Sequence, residues 1–181
     1  MCPLFQDLKL YQQTVIPKEL NKDCFLINSD DRQDLFLSGT EVVGSCQTIT
    51  GGSFYNCCLL GYVLDGKNQM IAVKSKKTNK IVGRAILKLL FKEKGGAPVL
   101  FLDQIYPNFP NLSEYAQDII QYAKDIAASL KLDLYKLGAV GAPERLKSLG
   151  SPAPFEYEDA LSNVIDGVTN GAFSLIGFKL E

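Results

Sequence analysis

MIAVKSKKTNKIVGRAILKLLF, running from Met70 to Phe91, decides how this chain folds. From Ile81 onward the odd positions Ile81, Gly83, Ala85, Leu87, Leu89 and Phe91 are all apolar, while the even ones mix Val82, Arg84, Ile86, Lys88 and Leu90. Successive side chains of a strand point to opposite faces, so this alternation predicts a strand with one face fully buried and the other partly so. Met70 to Lys74 is its partner, and the polar Ser75 to Lys80 is the hairpin loop between them. The lysines crowded there, Lys74, Lys76, Lys77 and Lys80, read as a solvated tip rather than a phosphate track.

Downstream, EKGGAP makes a turn and VLFLDQIY (Val99 to Tyr106) is a third strand. YPNFPN then breaks the chain with prolines. Asn111 is the expected N-cap of a long helix, with Glu114 completing a capping box. Leu112, Tyr115, Ala116, Ile119, Ala123, Ile126, Ala127 and Leu130 follow at helical spacing. KLDLYKLG returns as a short strand, Pro143 to Leu149 is expected as a short helix closed by Gly150, and Ala172 to Leu180 as a closing strand. Upstream, residues 1–20 form a lead-in, partly helical, that ends near Pro17. CFLIN (Cys24 to Asn28) is a strand, SDDRQD a turn, and LFLSGTEVVGSCQ a strand, a polar turn and a second strand. CCLLGYVL suits an apolar core stretch, helical or extended. The sum is one α+β domain, residues 1–181, built on a mostly antiparallel mixed sheet with one long amphipathic helix.

Composition narrows the chemistry. The 181 residues hold 19 Lys and Arg against 20 Asp and Glu, a formal net charge of -1, so no cationic excess drives nucleic-acid binding. Histidine is absent. Ser-His-Asp and Cys-His catalysis are therefore excluded within the chain, and any general base is a carboxylate, lysine, tyrosine, thiolate or held water. MCPLFQDLKLYQQ is not a secretory signal. Cys46 to Leu64 carries no charge, yet its glycines and polar residues make it too polar for a membrane span. Five cysteines, an odd number in a chain with ample core, favour a reducing, cytoplasmic compartment.

The succession KIVGRAILKLL, PVLFLDQIYPN and LSEYAQDIIQYAKDIAASLKLDLYKLG resembles the GNAT acetyltransferase superfamily, in which a hairpin leads to a strand, a turn and a long helix. The resemblance implies a GNAT-like fold, and in that family a Gly-rich loop before the helix cradles the acetyl-CoA pyrophosphate. Here YPNFPNLSEY stands instead, with no glycine, two prolines and the carboxylate of Glu114 where phosphate would lie. An acetyl-CoA site on this chain would rest on Asn111, Ser113 and the helix N-terminus. Asp103, on the strand before that loop, is the candidate base.

The cysteines offer one further candidate. Cys46, beside Gly44, Ser45 and Gln47 in GSCQ, is a possible nucleophile if a cation or a helix terminus activates it. Cys24, Cys46, Cys57 and Cys58 match no zinc framework, so no metal is expected, and the sulfur-rich stretch reads mostly as core. DGKN at Asp65 to Asn68 is a turn, and Glu156, Glu158 and Asp159 form a solvated acidic segment. Arg84, alone on an apolar strand, points to solvent or reaches a carboxylate such as Asp103.

Two functions follow. The first is an intracellular, non-catalytic binding or regulatory module, without a cofactor, for a protein or small-molecule ligand, and not for nucleic acid or membrane. Its ligand groove is bordered by Gly44 to Asn56. The second is an enzyme, either a divergent acyltransferase using acetyl-CoA or a transferase using Cys46. An enzyme brings Cys46, Asp103 or a tyrosine to one pocket floor; a module fills that region with Phe54, Leu59 and Leu60.

Overall fold

The computed structural model describes residues 17–51, 53–107, 115–138, 141–149 and 173–181, with the side chains of 53–57 left aside. The elements in order are β1 (Lys18–Glu19), β2 (Cys24–Ser29), α1 (Arg32–Leu37), α2 (Ser53–Leu64), β3 (Asn68–Ser75), β4 (Ile81–Lys92), β5 (Pro98–Leu102), α3 (Ala116–Leu130), β6 (Leu134–Lys136), β7 (Pro143–Lys147) and β8 (Ser174–Lys179). The expected hairpin is β3 and β4, antiparallel with Met70 opposite Ile86. The architecture is α+β, on one eight-stranded sheet ordered β1-β2-β3-β4-β5-β6-β8-β7. Among the described strands only β5 and β6 are parallel, joined across α3, as a parallel pair requires a crossover.

The long strand β4 closes part of this sheet on itself. Its first two-thirds pair with β3, and its far end passes to β7, with Phe91 opposite Lys147. The strands β4, β5, β6, β8 and β7 thus form a closed five-stranded barrel. Leu90, Val99, Phe101, Tyr135, Leu146 and Leu175 fill it, together with Phe173. A Cβ on Gly177 would stand 2.7 Å from Leu146 Cδ1, so the interior is a packed core rather than a channel.

The outer face of β3, β4 and β5 meets α3. Ile119, Ala123, Ile126 and Ala127 pack there on Val73, Ala85, Leu87, Leu100 and Leu102. Each large aliphatic side chain buried this way contributes roughly 1.5–3 kcal/mol. The opposite face meets α1 and α2 through Leu35, Cys58, Leu59 and Tyr62. Both faces of β4 are therefore covered, and its even positions Arg84, Ile86, Lys88 and Leu90 are as buried as its odd ones. A bulge opposite Val73/Lys74 sets Val82 outward and puts Ile81 on the same side as Ile86.

Three expectations need correction. Arg32–Leu37, the second half of SDDRQD with the LFL after it, form a helix, not a turn and a strand, because the Asp31 carboxylate accepts from the backbone N–H groups of Gln33 and Asp34 and nucleates α1. The second strand expected at Val42–Val43 is a turn. Residues Pro143–Lys147 form strand β7 rather than a helix, since pairing with β8 and β4 outweighs the helix-forming Glu, Arg, Leu and Lys. Helices α1 and α2 accompany α3, so the helical part is more than one long helix. Asn111, Ser113 and Glu114, the acidic run Glu156, Glu158 and Asp159, and the lead-in before residue 17 lie outside the described residues.

Candidate functional site

Two polar constellations stand out, one closed and one open. The closed one lies on the inner face of β4. Arg84 is wholly buried. Its Nε donates to Ser38 O at 3.0 Å, and one Nη donates to Ser45 Oγ at 3.2 Å and to Gln47 Oε1 at 3.0 Å. Gln47 is buried in turn and donates through Nε2 to the Tyr62 hydroxyl at 3.0 Å. The Arg84 guanidinium also stacks 4.3 Å from the centroid of the Tyr106 ring. Arg84 thus ties the segment 38–47 to the sheet; it neither faces solvent nor takes Asp103 as its partner.

One position makes that loop possible. A Cβ on Gly39 would fall 1.6 Å from the Gln47 carbonyl oxygen, so only glycine lets the two strands of the loop close. Ser45 and Gln47 are held, and Cys46 between them is exposed. Cys24 and Cys58 are buried thiols, as a sulfur-rich core predicts, but Cys46 departs from that reading. Among the described residues no group of three or more Cys, Asp or Glu is gathered as a metal site would need. Asp65 to Asn68 is the expected turn, with Lys67 paired to Asp65 at 2.7 Å.

Asp103 sits at a second bulge. Leu87 faces Leu102 and Arg84 faces Tyr106, so three steps along β4 match four along the chain after β5. That extra residue falls after Asp103, whose N–H still bonds Ile86 O at 2.9 Å, so plain alternation along the strand puts its carboxylate on the face of Phe101 and Lys88, at the mouth of the barrel. There its Oδ2 lies 2.9 Å from Lys88 Nζ, with both side chains fully buried. No directed hydrogen bond forms at that oxygen, so the contact is chiefly charge on charge. Oδ1 accepts from the Gln104 N–H at 2.9 Å. The Tyr62 ring of α2 and the Phe173 ring cover the ammonium, at 5.4 and 5.3 Å. Asp103 and Cys46 therefore share no solvent-reached floor, since one is sealed and the other is on the surface.

No family model, curated protein or solved structure matches the chain. The site is read from its own geometry.

The open constellation is a cleft of about 870 Å³ between α1, β2 and the β3–β4 hairpin. It is not bordered by Gly44 to Asn56, where the sequence reading placed a groove. Lys74 lines it, nine-tenths buried, with Nζ 2.7 Å from Asp34 Oδ1. The other Asp34 oxygen accepts from Ser29 Oγ at 2.8 Å. Glu41, also lining, accepts from the Ile81 N–H at 2.7 Å, which ties the loop after α1 to the start of β4. The SDDRQD segment carries Ser29, Asp30, Asp31, Gln33 and Asp34 of this lining, and its Asp-rich sequence is the available signal. It reads as a turn because an Asp that caps a helix and an Asp that starts a turn have the same local preference. In the region reserved for a filled pocket, Leu59 is buried, Leu60 is 41% exposed, and the Phe54 side chain lies outside the described residues.

Proposed function

We propose that the chain is a non-catalytic binding or regulatory module, working in the cytoplasm on a GNAT-like framework, with the α1–hairpin cleft as its ligand face. The single observation that carries the reading is the sealing of Asp103. A general base must reach the proton it takes, directly or through one water. A carboxylate with no exposed surface, facing a buried lysine, is built to hold structure. The succession of hairpin, strand and long helix supports the GNAT-like framework. Small-molecule clefts typically span about 300–1,000 Å³ and bring a few polar groups together, which the α1–hairpin cleft does. No helix of the described residues is long and apolar enough to cross a membrane.

A cysteine-dependent transferase is the second reading, favoured by one observation: Cys46 is exposed between two anchored residues. The acyltransferase version would bind acetyl-CoA through Asn111 and Ser113. Calorimetric titration with acetyl-CoA, run beside thiol labelling of the native protein, separates the three. The module reading expects no acetyl-CoA heat and a Cys46 that labels no faster than a small free thiol. Micromolar acetyl-CoA binding would overturn it in favour of an acyltransferase. A Cys46 reacting far faster than a free thiol would overturn it in favour of cysteine chemistry.

A further inference from the structure

We infer that the α1–hairpin cleft takes a neutral, hydroxyl-rich small molecule of the sugar or polyol class; this rests on the binding-module reading and names its ligand. The charges lining the cleft decide the class. Asp30, Asp31, Asp34 and Glu41 stand against Lys74 and Lys80. Most of these charges are already engaged within the fold: Asp31 caps α1, Glu41 takes the Ile81 N–H, and Asp34 takes Ser29 and the ammonium of Lys74, which is nine-tenths buried on the cleft wall, so the lining offers neither a strong anion site nor a strong cation site. An ammonium has three donors, so others remain to be met from the cleft. A hydroxyl group serves both sets at once, because it donates to a carboxylate and accepts from an ammonium. The rest of the lining is of the same kind: the amides of Gln33 and Asn79 and the hydroxyl of Thr78 both give and accept hydrogen bonds. Ile27 and Leu37 supply the small apolar surface that the carbon skeleton of such a ligand needs.

The test is a nitrogen–proton NMR titration of the full chain with glucose, mannose and myo-inositol, against spermidine as the cation and citrate as the anion. The inference expects saturable shifts confined to residues 27–41 and 69–80 with at least one neutral probe. It expects Asp30→Asn and Gln33→Ala, both changes at exposed positions, to weaken that probe by about threefold to tenfold. Lys74→Met should abolish the binding; as Lys74 is buried, the exposed variants carry the result if this one does not fold. Shifts with spermidine or citrate but with no neutral probe would overturn the ligand class and leave the module reading standing. No shift in the cleft with any probe at tens of millimolar would overturn the cleft as the site. The module reading itself is tested separately, by acetyl-CoA titration and Cys46 labelling.

Discussion

Arg84 lies on the strand between Gly83 and Ala85, in a stretch whose apolar neighbours say nothing of where a guanidinium would find oxygen. Its acceptors, Ser38 O, Ser45 Oγ and Gln47 Oε1, come from a loop 37 to 46 residues earlier. A buried acceptor that loses its donor costs about 1–3 kcal/mol. Arg84→Met therefore lowers stability by several kcal/mol in urea denaturation and speeds amide exchange across residues 38–47. Arg84→Lys recovers little, because an ammonium cannot reproduce the guanidinium fork. A loss below 1 kcal/mol for Arg84→Met would mean the loop is held some other way. Cys46 is a second residue-scale case. Its exposure predicts that Cys46→Ser removes one fast-labelling thiol, while the buried Cys24 and Cys58 label only on unfolding. GSCQ reads as core from composition, since free cysteine is usually buried. Its actual position depends on Ser45 and Gln47 being fastened on either side, a tertiary fact.

At the scale of elements, α3 ends with Lys131 in the left-handed conformation at φ 56°, and the next N–H, of Leu132, bonds Ala127 O at 2.9 Å. Glycine is the residue that adopts this geometry without strain. Lys131→Gly is thus expected to raise stability by about 0.5–1 kcal/mol, read as a higher midpoint of thermal unfolding. Asp31→Ala acts in the other direction on α1, where loss of the cap costs about 1 kcal/mol. The elements that the sequence made legible are those with their own period. The strand β4 alternates, and β5, β6 and β8 are short apolar runs between clear turns. The elements it hid are those whose form is set from elsewhere. Along its length α2 is apolar with no polar stripe, and such a run fits a buried strand as well as a helix. After its proline, PERLK in β7 is made of helix formers, and its pairing with Ser174–Lys179 and the end of β4 makes it a strand. The cleft was hidden for the same reason, since it needs α1 and the hairpin to be placed side by side.

Over the whole molecule, two of the ion-pair clusters that fasten the barrel differ in character. One is open to water: Asp133, just ahead of β6, pairs with Lys179 of β8 at 2.7 Å and Lys92 of β4 at 2.9 Å. Hydrogen bonds from Lys179 and then Lys92 hold the Asp133 carboxyl below its usual range, and the bonds to Asp133 raise both lysines. A lowered carboxylate contributes stability above its unfolded value and loses it as pH falls through the folded one. The raised lysines contribute below their unfolded values and lose that contribution as pH rises through the folded ones. Asp133→Asn should therefore flatten the pH–stability curve at both limbs, with a gap from the parent protein that closes in strong acid and narrows in salt. The other fastening is sealed. Lys88 and Asp103 sit at the barrel mouth beneath Tyr62 and Phe173, and removing the carboxylate takes from Lys88 a counter-charge that is fully buried with it. Breaking such a pair typically costs about 3–5 kcal/mol, whereas replacing both members by apolar residues is often neutral or better. The most direct test of Asp103 as a structural rather than a catalytic carboxylate is urea denaturation of Asp103→Asn beside the double variant Lys88→Met, Asp103→Leu. The expected result is a loss of about 3–5 kcal/mol in the single variant and recovery of most of it in the double. An Asp103→Asn protein as stable as the parent would contradict the account, because a carboxylate that holds nothing is free to act as a base.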